Sequence, residues 1–193
     1  MLDNLSKYQI VLGSASPRRK ELLKGLGLDC EVRSVGDIDE SYPKTLQSAE
    51  VPLFIATKKA EAFLSTLSSH ELLITADTVV CIDHQVIGKP ADASEAFIML
   101  KGLSGHWHEV ITGVCVCTTK ETKKFSVVSK VKFSNLTDDE ITYYIDHYHP
   151  FDKAGSYGIQ EWIGFIGVES IEGSFYNVMG LPVQRLYQEL KTF

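Results

Sequence analysis

The strongest local constraint on this fold is a short apolar segment that leads through a small-residue turn into a helix beginning with proline. Residues 8–12 are predicted to form a buried strand, and residues 13–16, with the sequence GSAS, a turn. Ser16 is a favourable N-cap and Pro17 a favourable first helical residue, so a helix is predicted to begin there and to stop near Gly27. Units of this kind build α/β folds.

The rest of the chain continues the alternation of strands and helices. Helices are predicted over about residues 49–67, 92–101, 137–147 and 182–190, and strands over residues 30–34, 72–76, 79–82, 107–118 and 124–133. Thr137 and Glu140 have the spacing of a capping box, and the glycine-rich region after Pro150 is predicted to form short strands. Because no repeat, low-complexity tract or linker is present, we predict one α/β domain over residues 1–193 with a mixed sheet.

Composition restricts the classes of partner. A formal net charge of -6 argues against nucleic-acid binding, although a small polyanion can still bind at a local basic island such as residues 18–20. The apolar runs are too short to span a membrane and the first residues do not resemble a signal peptide, so we expect no membrane partner and a cytoplasmic location. The four cysteines have no C-x-x-C spacing and are predicted to be free buried thiols.

The start of the first helix is a candidate anion site. Its free backbone N–H groups and positive dipole end point back toward the turn, where Ser14 and Ser16 add hydroxyl groups. Arg18 and Arg19 add guanidinium groups suited to phosphate oxygens, and Gly13 is expected to let a ligand approach the backbone. From these residues alone, a capped surface helix with two solvated arginines is an equally good interpretation.

Two acidic segments are candidate metal-binding or catalytic positions. Asp77 interrupts an apolar run, and a buried carboxylate is costly unless it is paired, so we predict that it lies at a strand end or bulge facing a cleft. There it could bind a divalent cation, polarise a water molecule or cap a turn. Asp37, Asp39 and Glu40 form an acidic loop that suits magnesium or manganese shared with phosphates, and a solvated loop is the simpler interpretation when it is taken alone.

Three further segments carry polar groups. Lys89, within Gly-Lys-Pro, is predicted at a strand-to-helix junction, because the following proline holds it extended. Residues 151–160 combine small residues with a lysine and end on Gln160, whose amide both donates and accepts. His106 and His108 share a strand face, but no third ligand has suitable spacing, so we interpret them as exposed strand histidines rather than a metal site.

Taken in order, these segments resemble the Maf family. The resemblance is carried by LGSASPRR at residues 12–19, IDE at 38–40, ADTVV at 76–80, GKP at 88–90, LSG at 103–105, TGV at 112–114, DKAGSYGIQ at 152–160 and NVMGLP at 177–182. It extends over nearly the whole chain. It implies a fold similar to inosine triphosphate pyrophosphatases, with a twisted mixed sheet, flanking helices and a cleft between two lobes, and it suggests a homodimer.

The resemblance also implies hydrolysis of a nucleoside triphosphate to the monophosphate and pyrophosphate, with magnesium or manganese as the divalent cation. By position, Asp77 matches the family's proposed proton acceptor, and with Glu40 it is a candidate metal ligand. The positions that match phosphate-binding groups, together with Ser16 from the helix start, are Ser14, Arg18, Lys59 and Lys89. The positions linked to base specificity are Arg19, Thr78 and Gln160.

The same three positions indicate a subtype. Members that resemble the dTTP/UTP enzymes carry Arg-Arg after the proline, Asp-Thr in the central motif and glutamine after Tyr-Gly-Ile, whereas 7-methyl-GTP enzymes tend to carry Trp-Arg, Asp-Gln and glutamate. This chain has Arg18-Arg19, Asp77-Thr78 and Gln160. We therefore predict dTTP and UTP as substrates, with exclusion of non-standard pyrimidine nucleotides as a role. A regulator of septum formation that binds nucleotides without turnover, and a 7-methyl-GTP pyrophosphatase, are the alternatives.

Overall fold

The strand, turn and helix predicted at the start of the chain are confirmed. The computed structural model describes residues 2–36 and 38–193, so the prediction made for Asp37 lies outside the described residues. β1 (Gln9–Leu12) leads into α1 (Pro17–Gly25), with Ser16 at the N-cap position in an extended conformation. Gly27 follows with a φ of 77°, a left-handed conformation that ends helices and that glycine adopts without strain.

The strands form a mixed sheet, as predicted. Within the described residues its order is β2-β1-β3-β5-β6-β7, and β4 pairs with β3. The remaining strands are β2 (Glu31–Val32), β3 (Glu71–Ile82), β4 (Gln85–Ile87), β5 (Trp107–Cys117), β6 (Thr122–Phe133) and β7 (Val168–Glu172). β1 runs parallel to both β2 and β3, whereas β3 with β4 and β6 with β7 are antiparallel. β2 is shorter than the predicted strand over residues 30–34.

Helices flank this sheet, which confirms the predicted α/β class. They are α2 (Val51–Phe63), α3 (Ala93–Leu103), α4 (Asp138–Tyr148), α5 (Trp162–Gly167), α6 (Phe175–Val178) and α7 (Val183–Leu190). The capping box of α4 is confirmed, since Thr137 Oγ1 accepts from the Glu140 N–H at 3.2 Å and Glu140 Oε2 accepts from the Thr137 N–H at 2.8 Å. No helix in residues 2–36 and 38–193 has both the length and the apolar character needed to span a membrane.

The prediction of short strands after Pro150 was mostly wrong. The region contains helical turns, α5 and α6, with β7 as its strand. Glycine serves close packing here rather than strand formation, because a Cβ on Gly164 would lie 1.8 Å from the carbonyl oxygen of Ile159.

The chain is organised as two compact units. Unit 1 comprises residues 1–77, 112–127 and 180–193, and unit 2 comprises residues 78–111 and 128–179. A core cluster in unit 1 includes Val11, Phe63 and Leu73, and another in unit 2 includes Leu100 and Phe133. The four cysteines are free thiols, as predicted; three are buried and Cys30 is partly exposed.

His108, in unit 2, is buried, which corrects its interpretation as an exposed strand histidine; His106 is exposed as predicted. Only 2% of His108 is accessible to solvent, and its Nε2 lies 2.8 Å from the hydroxyl oxygen of Tyr157. The imidazole packs edge-on against the rings of Phe133 and Tyr157. Burial lowers the pKa of His108 to about 4, so the folded chain holds this imidazole neutral.

This lowered pKa predicts a pH-dependent loss of stability. An unfolded chain takes up a proton on His108 near pH 6.5 and the folded chain only near pH 4, so stability falls as the pH drops through this window. Urea unfolding at pH 7.5 and pH 5 should show that the wild type loses about 2 kcal/mol more than the variant His108→Gln. Equal losses in the two proteins would contradict a buried neutral histidine.

Candidate active site

Lys59 of α2 lies between two carboxylates in unit 1. Its Nζ is 2.7 Å from Asp77 Oδ1 and 2.9 Å from Glu40 Oε1. The side chains of Lys59 and Asp77 are only 12% and 13% exposed, whereas that of Glu40 is 44% exposed. The Lys59–Asp77 pair is largely shielded from water, so its two charges interact more strongly than those of a surface pair.

Asp77 does not lie at a strand end, so that part of the prediction was wrong. β3 continues without interruption from Glu71 to Ile82, and Asp77 lies within it, 9% exposed. The ammonium group of Lys59 explains how the carboxylate of Asp77 is tolerated inside this largely buried strand.

The turn after β1 holds Arg19 in a fixed position. Arg19 Nη1 donates to Ser14 Oγ at 3.1 Å, and Arg19 Nε donates to the carbonyl oxygen of Gly180 at 2.8 Å. Ser14 Oγ also accepts from the backbone N–H of Ser16 at 3.3 Å. Because Ser14 Oγ accepts these two hydrogen bonds, the hydroxyl hydrogen of Ser14 can still be donated to a ligand.

Arg19 interacts electrostatically with the cluster around Lys59. Burial lowers the pKa of Arg19, and the nearby positive charge of Arg18 lowers it further. The carboxylates of Asp77 and Glu40 act in the opposite direction and raise the pKa of Arg19. This part of unit 1 thus contains three basic and two acidic side chains: Arg18, Arg19, Lys59, Glu40 and Asp77. An excess of positive charge suits a polyanion that arrives with a metal cation.

Gly13 has a packing role, and the close approach of a ligand to its backbone stays a prediction. A Cβ at this position would lie 2.8 Å from Thr75 Cγ2 and 2.9 Å from Phe63 Cε2. The glycine therefore makes room for the core of unit 1, and the N–H group of Gly13 donates to the carbonyl oxygen of Ile74 at 2.9 Å.

The donors around Lys59 fit a magnesium or manganese ion. Glu40 and Asp77 both contact Lys59 Nζ, so two carboxylate oxygens converge on one point. Carboxylate oxygens are the hard donors that these cations prefer, and the site already accommodates the positive charge of the lysine. Across residues 2–36 and 38–193, no three His, Cys, Asp or Glu side chains are grouped so that they could hold a metal. Phosphate oxygens and water would therefore have to complete the coordination, which is how Mg²⁺ is commonly bound.

The other predicted residues belong to unit 2. Thr78 follows Asp77 in β3 and is partly exposed, and Lys89 is exposed after β4. Gln160 is partly buried, and its Oε1 is a buried acceptor without a hydrogen-bond partner in the described part of the chain. Leaving such an oxygen unsatisfied costs about 1–3 kcal/mol, which a ligand donor would relieve.

Beside Gln160, a buried network includes residues that the sequence did not reveal as functional. Lys153 is only 7% exposed, and its Nζ lies 2.8 Å from Asp152 Oδ1 and 3.2 Å from Glu161 Oε1. The hydroxyl of Tyr144 donates to Glu161 Oε2 and accepts from the N–H of Gly158 at 3.0 Å. A lysine that is buried in a run of small residues needs a counter-charge, and that requirement is the sequence signal that could have pointed to Glu161.

Comparison with known proteins identifies the family. The family described as "Maf-like protein" matches residues 9–193. A dTTP/UTP pyrophosphatase from Parabacteroides distasonis is 62% identical over 193 residues, which are 100% of both chains, and one from Bacteroides fragilis is 60% identical over 191 residues, 99% of both. The solved structure of a HAM1 protein from Coxiella burnetii is 16% identical, covers 96% of this chain and 100% of that chain, and has a TM-score of 0.47. By its match over residues 9–193 and its full-length relatives, this chain belongs to the Maf family.

Proposed function

We propose that this chain hydrolyses dTTP and UTP to the nucleoside monophosphate and pyrophosphate. Two relatives about 60% identical over the full length carry the name dTTP/UTP pyrophosphatase. The observation that carries the chemistry is the contact of Lys59 with Asp77 and Glu40, which combines a phosphate-binding cation with two carboxylates. Such a combination can bind a triphosphate together with a metal ion and can also accept a proton from water.

The triphosphate is assigned to the basic groups and the start of α1. The first N–H groups of this nine-residue helix and its dipole favour anions, and the hydroxyl hydrogens of Ser14 and Ser16 can be donated to phosphate oxygens. Arg18, Lys59 and Lys89 supply positive charge that stabilises the phosphates as the bond at the α-phosphorus breaks.

Asp77 and Glu40 are assigned to the metal ion and to the attacking water. A bound magnesium or manganese ion would neutralise phosphate charge and make the water more acidic. Asp77 accepts the proton of the water that attacks the α-phosphorus, and pyrophosphate is the leaving group.

Arg19, Thr78 and Gln160 are assigned to selection of the base. The fixed guanidinium of Arg19 supports selection by a rigid group. Gln160 suits the imide edge of uracil or thymine, because its Oε1 can accept from N3–H while its NH₂ donates to a carbonyl oxygen.

A nucleotide panel with separate detection of pyrophosphate and orthophosphate tests this function. With Mg²⁺ or Mn²⁺ the wild type should release monophosphate and pyrophosphate from dTTP and UTP. Release of orthophosphate and a diphosphate would contradict the reaction, and faster turnover of 7-methyl-GTP would contradict the subtype. Tight triphosphate binding without turnover would instead indicate a regulator.

Four other expectations stay predictions: a single Maf domain over residues 1–193, a homodimer, a cytoplasmic location, and a role in excluding non-standard pyrimidine nucleotides.

A further inference from the structure

The amide of Gln160 lies beside a carboxylate that limits how it can turn. Gln160 Nε2 is 3.5 Å from Glu161 Oε1. A carboxylate only accepts hydrogen bonds, so the amide presents its NH₂ group to Glu161 and leaves its oxygen as the acceptor. That oxygen is the buried atom without a partner in the described part of the chain.

Glu161 is itself held from two sides. The hydroxyl of Tyr144 donates to its Oε2, and the ammonium of Lys153 lies 3.2 Å from its Oε1. Burial, together with the hydrogen bond to Glu161, raises the pKa of Tyr144, so the phenol remains a neutral donor. Because Tyr144 also accepts from the N–H of Gly158, its one hydroxyl hydrogen is committed to Glu161.

Gly158 leaves the space that this arrangement requires. A Cβ at this position would lie 2.8 Å from Gln160 Nε2 and 2.8 Å from Glu161 Cδ. The two side chains therefore pack over the glycine backbone, which restricts the Gln160 amide as well as the Glu161 carboxylate.

We propose that Glu161 is a positioning residue that fixes the orientation of the Gln160 amide and thereby favours uracil and thymine over cytosine; this rests on the proposed function. With its nitrogen turned to Glu161, Gln160 offers an oxygen acceptor to the N3–H that uracil and thymine carry. N3 of cytosine is an acceptor and repels that oxygen, whereas an amide turned by half a rotation would suit cytosine.

The test compares kcat/KM for UTP and CTP in the wild type and in Glu161→Gln. The new amide can donate to Gln160 as well as accept from it, so the orientation of Gln160 is no longer fixed. We expect the UTP-to-CTP ratio to fall about tenfold, the effect of gaining or losing one hydrogen bond between neutral groups. Glu169→Gln makes the same charge change at an exposed position of β7 and should leave the ratio unchanged.

The outcomes separate this inference from the proposed function. A wild type that does not hydrolyse UTP overturns both. A wild type that hydrolyses UTP without preferring it to CTP, or a folded Glu161→Gln with an unchanged ratio, overturns this inference alone. If thermal unfolding shows that Glu161→Gln is not folded, Tyr144→Phe is the deciding variant. It keeps the Glu161 carboxylate and removes the hydroxyl that donates to it. The UTP-to-CTP ratio should then fall by a smaller factor, and an unchanged ratio overturns the inference.

Discussion

Asp77→Asn is expected to lower kcat for dTTP hydrolysis by roughly 10²–10⁴-fold, the usual contribution of a positioned acid or base. The variant loses the negative charge that would accept a proton or hold a metal ion. It keeps the shape of the side chain and an oxygen that can accept from Lys59, and Lys59 retains its ion pair with Glu40. The fold should therefore survive, which circular dichroism and thermal unfolding can check.

Asp83→Asn is the matched control for this substitution. Asp83 is exposed, with a φ of 48°, a conformation that asparagine adopts readily, so its substitution should leave kcat unchanged. A titration with Mg²⁺ separates two roles of Asp77: recovery of activity at high Mg²⁺ assigns it to the cation, and a persistent loss assigns it to proton transfer. Full activity of Asp77→Asn at ordinary Mg²⁺ would refute both.

The features that the sequence predicted well depend on residues close together in the chain. The start of α1 at Ser16 and Pro17 and the capping box of Thr137 and Glu140 are formed by groups no more than three residues apart. Their geometry is set by local backbone conformation, so the pattern of residue types is sufficient to predict them.

The environments of buried polar residues were the part that the sequence could not predict. The sequence predicted Asp77 at a strand end or bulge, because a buried carboxylate is costly unless it is paired. It predicted an exposed His108, because no third metal ligand has suitable spacing. The partners of these two residues, Lys59 and Tyr157, lie 18 and 49 residues away in the chain. A polar side chain that finds a partner elsewhere in the fold can be buried, although polar residues usually stay on the surface. The alternation of polar and apolar residues along a strand carries no information about such distant partners.

The neighbouring lysines of α2 provide the second test of the site. Lys59→Met is expected to lower kcat/KM for dTTP by about 10²–10³-fold, since a charge that stabilises the phosphates is removed while the length of the side chain is kept. The substitution also leaves the carboxylate of Asp77 largely buried without the ammonium group that it contacts at 2.7 Å. Removing one partner of a buried pair costs about 3–5 kcal/mol, and urea unfolding should show a loss of this order.

Lys58→Met is the control, because Lys58 carries the same charge one residue away. Its Nζ lies 3.0 Å from Asp39 Oδ2, but the two side chains are 32% and 71% exposed. Such a surface pair contributes about 0–1 kcal/mol, so stability and kcat/KM should change little. Activities are compared at a temperature where both variants are folded. If both lysine variants lost activity equally, general charge attraction would explain the effect. A stable and active Lys59→Met would show that Asp77 needs no counter-charge, and the triphosphate assignment of this cluster would fail.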